Sequence, residues 1–201
     1  MSERFAIYYA PATTSALWRK ACEWLGRDAA TSREQAQHVD GLDPARHFAL
    51  TQSARRYGFH ATMKAPMALG DGLVRDDLEV ALAAFAARHA PVNMGKMVVS
   101  QISGFLAIVP AEQSAELTAF AGECVKSFDP FRAPAGEADR AKRVGNGLTP
   151  RQIELLDQYG YPYVLEQFLF HMTLTDRLAT DRKAELRERA ADRFASALAE
   201  P

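Results

Sequence analysis

Apolar and polar residues alternate along Arg56-Tyr57-Gly58-Phe59-His60-Ala61-Thr62-Met63-Lys64-Ala65-Pro66, which is the period of a β-strand, where residues two apart share a face. Tyr57, Phe59, Ala61 and Met63 fall on one mostly apolar face, and His60, Thr62 and Lys64 on the other. The same alternation returns over Phe168-Leu169-Phe170-His171-Met172-Thr173-Leu174-Thr175. Here Phe168, Phe170, Met172 and Leu174 form the apolar face, while Leu169, His171, Thr173 and Thr175 oppose it. The pattern therefore predicts two strands that each present His-x-Thr from the face opposite an apolar one, an internal repeat.

Around these stretches the apolar pattern predicts further elements. Phe5 to Tyr9 reads as a strand ended by Pro11. Thr13 or Thr14 is positioned to cap a helix carrying Leu17, Trp18, Ala21, Trp24 and Leu25, which Gly26 stops. Arg27 to Ser53 is polar and weakly periodic, and places His38 and His47 on surface or loop. Asp76 and Asp77 favour a helix N-terminus, and Leu78, Leu82 and Phe85 form its buried face, with His89 as a C-terminal cation. Val92–Ser103 and Phe105–Val109 predict a hairpin turning at Ser103-Gly104. Pro110 opens a helix with Leu117, Phe120 and Cys124 on one face. The stretch 128–147 reads as a charged loop with lid potential, Thr149-Pro150-Arg151-Gln152 as a capping box. Thr180 is placed to cap a last helix with Leu186, Ala190, Phe194 and Leu198 inside. The order β-α-(loop)-β-α-β-β-α-(loop)-α-β-α argues for an α+β fold rather than a doubly wound parallel sheet.

Composition narrows the partners. A net charge of −1 over 201 residues lacks the basic footprint of long nucleic-acid ligands, so a small phosphate-containing substrate is expected instead. Cys22 and Cys124 lack metal-ligand spacing and read as core residues of a reducing compartment. With no signal peptide before Phe5 and no apolar run near the ~20 residues of a membrane helix, the expected location is cytoplasmic, with no membrane partner. Nothing in the sequence specifies the oligomeric state.

The paired strands carrying His-x-Thr resemble the signature of the 2H phosphoesterase superfamily, of LigT-like and 2′,3′-cyclic phosphodiesterase-like proteins. The fuller wording, RYGFHATMKAP and later LTPRQ…YGYPYVLEQFLFHMTLT, is similar to one branch, the phosphonate-metabolism protein family, a domain of unknown function encoded near carbon–phosphorus lyase genes. The resemblance runs over essentially the whole chain. It implies a single 1–201 domain of two pseudo-symmetric lobes, each an antiparallel sheet backed by helices, with the His-x-Thr strands facing each other across a central cleft. The lobes would divide near Pro66–Val92, with the termini crossing between them.

Two imidazoles on opposite sides of one phosphate can hold the two protonation states that breaking a phosphodiester requires, so His60 and His171 are the expected acid–base pair. Thr62 and Thr173 are the expected donors to non-bridging oxygens. Lys64, on the same face as His60, adds charge. Arg56 and Tyr57 come next in line, Arg143 offers a planar fork from the 128–147 loop, and Tyr161 and Tyr163 offer rings for stacking. No metal or cofactor is required by this scheme. The expected function is a metal-independent phosphoesterase hydrolysing a small cyclic phosphodiester of nucleotide or ribose-phosphate type, linked to phosphonate metabolism. The alternative is a non-catalytic phosphate-ligand or RNA-binding module with the same cleft.

Overall fold

The computed structural model describes residues 3–37, 39, 41–145, 147–178 and 183–199. His38 and Thr180 lie outside the described residues. In chain order the elements are β1 (Phe5–Tyr9), α1 (Ala16–Leu25), β2 (Arg27–Asp28), β3 (Arg33–Glu34), α2 (Pro44–Leu50), α3 (Gln52–Tyr57), β4 (Ala61–Met67), α4 (Arg75–Arg88), β5 (Met97–Ile102), β6 (Phe105–Pro110), α5 (Ala115–Phe128), α6 (Glu137–Val144), α7 (Pro150–Tyr159), β7 (Met172–Thr173) and α8 (Lys183–Leu198), with 3₁₀ turns at Asp129–Phe131 and Leu165–Gln167. Among the described residues the fold is α+β, with eight α-helices and small antiparallel sheets. Among the described residues no helix is long and apolar enough to cross a membrane.

The chain divides into two compact units, each assembled from separated stretches. The first comprises Met1–Tyr8, Thr62–Met94 and Gln113–Leu169, the second Tyr9–Ala61, Gly95–Glu112 and Phe170–Pro201. In the first unit β1 pairs with β4. Val125, Leu155 and Val164 form a buried cluster against which Tyr159, Tyr161 and Leu165 pack. Helix α4 opens on a bond from the Val74 N–H to Asp77 and closes on His89, whose ring N–H meets the Phe85 carbonyl at 2.7 Å, satisfying an end that carries unpaired backbone groups. The capping box of α7 forms as the sequence predicts, with Gln152 N–H to Thr149 Oγ1 at 3.2 Å and Thr149 N–H to Gln152 Oε1 at 3.0 Å.

The second unit is built on the sheet β5-β6-β7. The predicted hairpin forms in register, Ile102 opposite Phe105, and turns on Ser103 (φ 44°) and Gly104 (φ 100°), the left-handed pair that a tight hairpin needs. Strand β6 is buried through Leu106, Ala107 and Ile108, and β7 adds Met172 opposite Ile108. Trp24 of α1 anchors this core. Its Nε1–H donates to the Leu174 carbonyl at 2.9 Å, and its ring packs 5.8 Å from Phe194 of α8.

Several local expectations change. The helix α1 is capped by Ser15, whose hydroxyl accepts from the Trp18 N–H, rather than by Thr13 or Thr14. The polar stretch 27–53 contains the β2-β3 hairpin and α2, and His47 is only 1% exposed, not on the surface. Pro110 closes β6, and α5 starts after its cap, Ser114. The 128–147 stretch is largely helical, through the 3₁₀ turn and α6. Leu82 is exposed, whereas Leu78 and Phe85 are buried. The predicted strand from Arg56 begins only at Ala61, because the good helix formers of Gln52–Arg56 make α3 and Gly58 ends it, with its N–H on the Ala54 carbonyl at 2.9 Å. Tyr57 is consequently 62% exposed instead of lining an apolar face. In the second motif only Met172–Thr173 join the ladder, yet Phe168, Phe170, Met172 and Leu174 are all buried as the alternation predicts.

Candidate functional site

His60 and His171 both belong to the second unit. His60 follows the Gly58-Phe59 turn, and its half-buried ring donates from Nδ1 to the Gly58 carbonyl at 3.0 Å. That bond sets the tautomer: the neutral ring carries its lone pair on Nε2. Burial pushes the pKa of His60 below its ordinary value, and the charge of His171 pushes it further down, against the opposing pull of the Gly58 bond. The two imidazoles are thus within electrostatic reach of each other. His171 immediately precedes β7, half-buried, with its ring 5.7 Å from that of Phe105.

Gly58 is a residue that the alternation pattern passes over. It sits at φ 79°, and a Cβ there would meet the Ala29 Cβ at 2.3 Å. Only glycine tolerates both demands, and the carbonyl so placed is the one that orients His60. An isolated glycine in a strand-like run is the available signal for such a close approach.

Thr173 lies on β7 opposite Ala107, half-buried, and Thr175 is buried, its hydroxyl accepting from the Leu106 N–H at 2.9 Å. Thr62 is half-buried on β4 and opens the other unit's stretch Thr62–Met94. Arg56 and Tyr57 end α3, the Arg56 guanidinium 5.9 Å from the Tyr57 ring centroid; the Arg56 carbonyl accepts from Arg27.

Lys64 corrects the sequence reading. Instead of standing on an open polar face it is 2% exposed inside the first unit, where its ammonium meets Asp129 Oδ1 at 2.7 Å and the Val125 carbonyl at 3.3 Å. Burial lowers the proton affinity of Lys64, and its bond to Asp129 works against that. Arg132 shares the same carboxylate through Nε at 2.8 Å. Burial alone would raise the Asp129 pKa, but the bonds from Arg132 and Lys64 hold it below the usual carboxylate value. A period-2 pattern has no means of revealing a partner 65 residues away.

Arg143, Tyr161 and Tyr163 lie in the first unit. The Arg143 guanidinium sits 5.6 Å from the Tyr161 ring centroid, and the two tyrosine rings meet edge-on at 5.6 Å. Tyr161 packs against the Val125-Leu155-Val164 cluster, and burial raises its pKa; Tyr163 is exposed. Among the described residues no group of three or more His, Cys, Asp or Glu side chains is arranged to hold a metal ion.

A pattern for the family described as "Protein of unknown function (DUF1045)" matches residues 62–201, and the chain belongs to that family. The chain is 38% identical over 200 residues to the "Ribose 1,5-bisphosphate phosphokinase PhnN" of Janthinobacterium sp. (strain Marseille), covering 98% of this chain and 44% of that protein. It is 32% identical over 200 residues to the protein of the same name from Laribacter hongkongensis (strain HLHK9), covering 98% of this chain and 46% of the relative. The chain thus spans less than half the length of these relatives. No solved structure matches it.

These names overturn the hydrolase expectation. The sequence motifs led to a cyclic-phosphodiesterase-like hydrolase, whereas the curated relatives are named for phosphorylating a sugar bisphosphate. A small phosphate-containing substrate remains consistent with both names.

Proposed function

We propose that this chain binds a small phosphorylated ribose of the ribose 1,5-bisphosphate class and supplies that binding function to a sugar-phosphorylating activity. The observation that carries the reading is the His60–His171 pair, held in one unit with His60 in reach of the charge of His171. The relatives' printed name supplies the ligand class. In this reading His60, its Nδ1 fixed by Gly58, takes up a proton at Nε2 as the ligand binds and donates it in a hydrogen bond to a phosphate oxygen. His171 donates to a phosphate oxygen, and the Thr173 hydroxyl, two residues on, adds a second donor. The link to phosphonate metabolism that the sequence resemblance implies is compatible with such a ligand. We take residues 1–201 as one domain, because each unit is assembled from three separated stretches and neither is a continuous segment.

Isothermal titration calorimetry of the whole chain with ribose 1,5-bisphosphate, ribose 5-phosphate and ribose tests the reading. The phosphorylated sugars should bind and ribose should not. His60→Ala and His171→Ala should each weaken binding about tenfold or more, the loss of a hydrogen bond to a charged group. Equal affinity for ribose and its phosphates, or full affinity in both variants, would overturn the proposal.

A further inference from the structure

Two adjoining cavities open in the first unit, one of about 370 Å³ and one of about 170 Å³, and both are walled by Arg132, Asp139 and Arg143. The larger also meets Asp129, Arg140 and Asp157, the smaller Arg4. The charges around them do not cancel. Arg140 is neutralised by Asp157 through two bonds, at 2.5 and 2.8 Å. Asp129 has to serve both Lys64 and Arg132, so this trio carries one net positive charge at the cavity wall.

Arg4 donates to the Pro66 carbonyl at 2.9 Å, and Arg143 lies beside the Tyr161 ring; among the described residues neither is in an ion pair. Of the described residues that line the cavities, Asp139 is the one carboxylate left to set against them. The larger cavity falls in the size range of small-molecule sites. Two guanidinium forks without carboxylates, backed by a buried cation excess, are the recognition chemistry of an anion with two charged centres. The wall is also shaped for this. Gly160, at φ 73°, has room for Arg132 where a Cβ would stand 3.0 Å from its Cδ, so Arg132 reaches both Asp129 and the Gln158 carbonyl.

We propose that these cavities form a binding site for a small molecule carrying a diphosphate or two phosphates, with Arg143 and Arg4 as its direct ligands and Arg132 as the supporting charge. The site is independent of the reading of His60 and His171, which belong to the second unit. A nucleoside diphosphate and a sugar bisphosphate share this chemistry.

Titration of the whole chain with inorganic pyrophosphate at low salt, followed by calorimetry and by amide NMR shifts, tests it. Wild type should bind with a Kd of about 1 mM or tighter. Arg143→Gln and Arg4→Gln should each weaken binding about tenfold, with Arg143→Lys intermediate, because an ammonium keeps the charge without the fork. Higher salt should weaken it further. His60→Ala should bind pyrophosphate as wild type does, which separates this site from the sugar-phosphate site. Displacement by ADP or by ribose 1,5-bisphosphate identifies the source. The proposal is overturned if inorganic phosphate binds as tightly as pyrophosphate, or if neither competitor displaces it. It is equally overturned if folded Arg143→Gln, with an unchanged circular-dichroism spectrum, binds like wild type.

Discussion

The Nδ1 of His60 lies 3.0 Å from the carbonyl oxygen of Gly58, two residues earlier in the chain. This short bond ties a left-handed glycine to the orientation of an imidazole, and it makes the backbone at residue 58 a determinant of how the His60 ring is held. Gly58→Ala forces a Cβ into positive φ and to within 2.3 Å of the Ala29 Cβ. Strain at such positions costs about 1–3 kcal/mol. Urea denaturation should register a loss in that range, and imidazole nitrogen NMR should show the His60 tautomer no longer fixed. Ala29→Gly in the same background should return part of the stability by removing the clash. An unchanged tautomer in Gly58→Ala would show that something other than the Gly58 carbonyl orients the ring.

Sugar-phosphate binding should be linked to proton uptake. Before a ligand binds, His60 is held below its ordinary pKa by burial and by His171. A bound phosphate dianion adds a compensating negative charge and raises it again. Protons are therefore taken up on binding, and affinity increases as pH falls through the range in which the liganded ring protonates. Calorimetry in buffers of different ionisation enthalpy measures the uptake directly. Because the phosphate also titrates, the decisive quantity is the difference from His60→Gln, which should lose its share. Identical proton uptake in both proteins would exclude His60 from the ligand's surroundings.

Lys64 and Asp129 should respond asymmetrically to substitution. Asp129→Asn leaves a buried ammonium without its counterion, a loss of about 3–5 kcal/mol. Lys64→Met removes the charge together with its desolvation cost, and Asp129 keeps Arg132, so stability should change by about 1 kcal/mol or less. Comparable losses in denaturant for the two variants would contradict the pairing described.

His47 should make the protein acid-sensitive. Among the described residues neither of its ring nitrogens finds a partner, and the ring packs against Trp24 at 4.6 Å. Burial lowers its pKa from 6.5 to about 4. The folded state therefore binds fewer protons than the unfolded chain between these values. The stability present above pH 6.5 is lost progressively as pH falls toward 4, by about 3 kcal/mol in all. His47→Leu should gain on wild type by a margin that grows over that window, measured by urea titrations at several pH values. A constant margin would mean that the ring stays neutral or finds a proton acceptor on acidification.

Local pattern determined a good deal by itself. The hairpin about Ser103-Gly104, the capping box at Thr149, and the burial of Phe168, Phe170, Met172 and Leu174 follow from interactions within a few residues, where side-chain period and turn chemistry act without help from the rest of the chain. The His-x-Thr repeat is visible in the sequence, but that both of its histidines belong to one unit is not: the resemblance implied strands facing each other from two lobes. What tertiary structure decided were the partners. Lys64 obeys strand alternation in sequence, yet it is drawn inside by Asp129, because a carboxylate 65 residues away offsets the desolvation of its ammonium. His47, in a polar stretch, is buried because Trp24 and the packing around it leave no path to water. The strand expected from Arg56 gave way to α3 and the Gly58 turn, since the close approach to Ala29 exists only once both segments are in place. Charge balance at the Arg4–Arg143 cavities arises the same way: each cation is ordinary in sequence, and only the fold determines which of them is left without an acid.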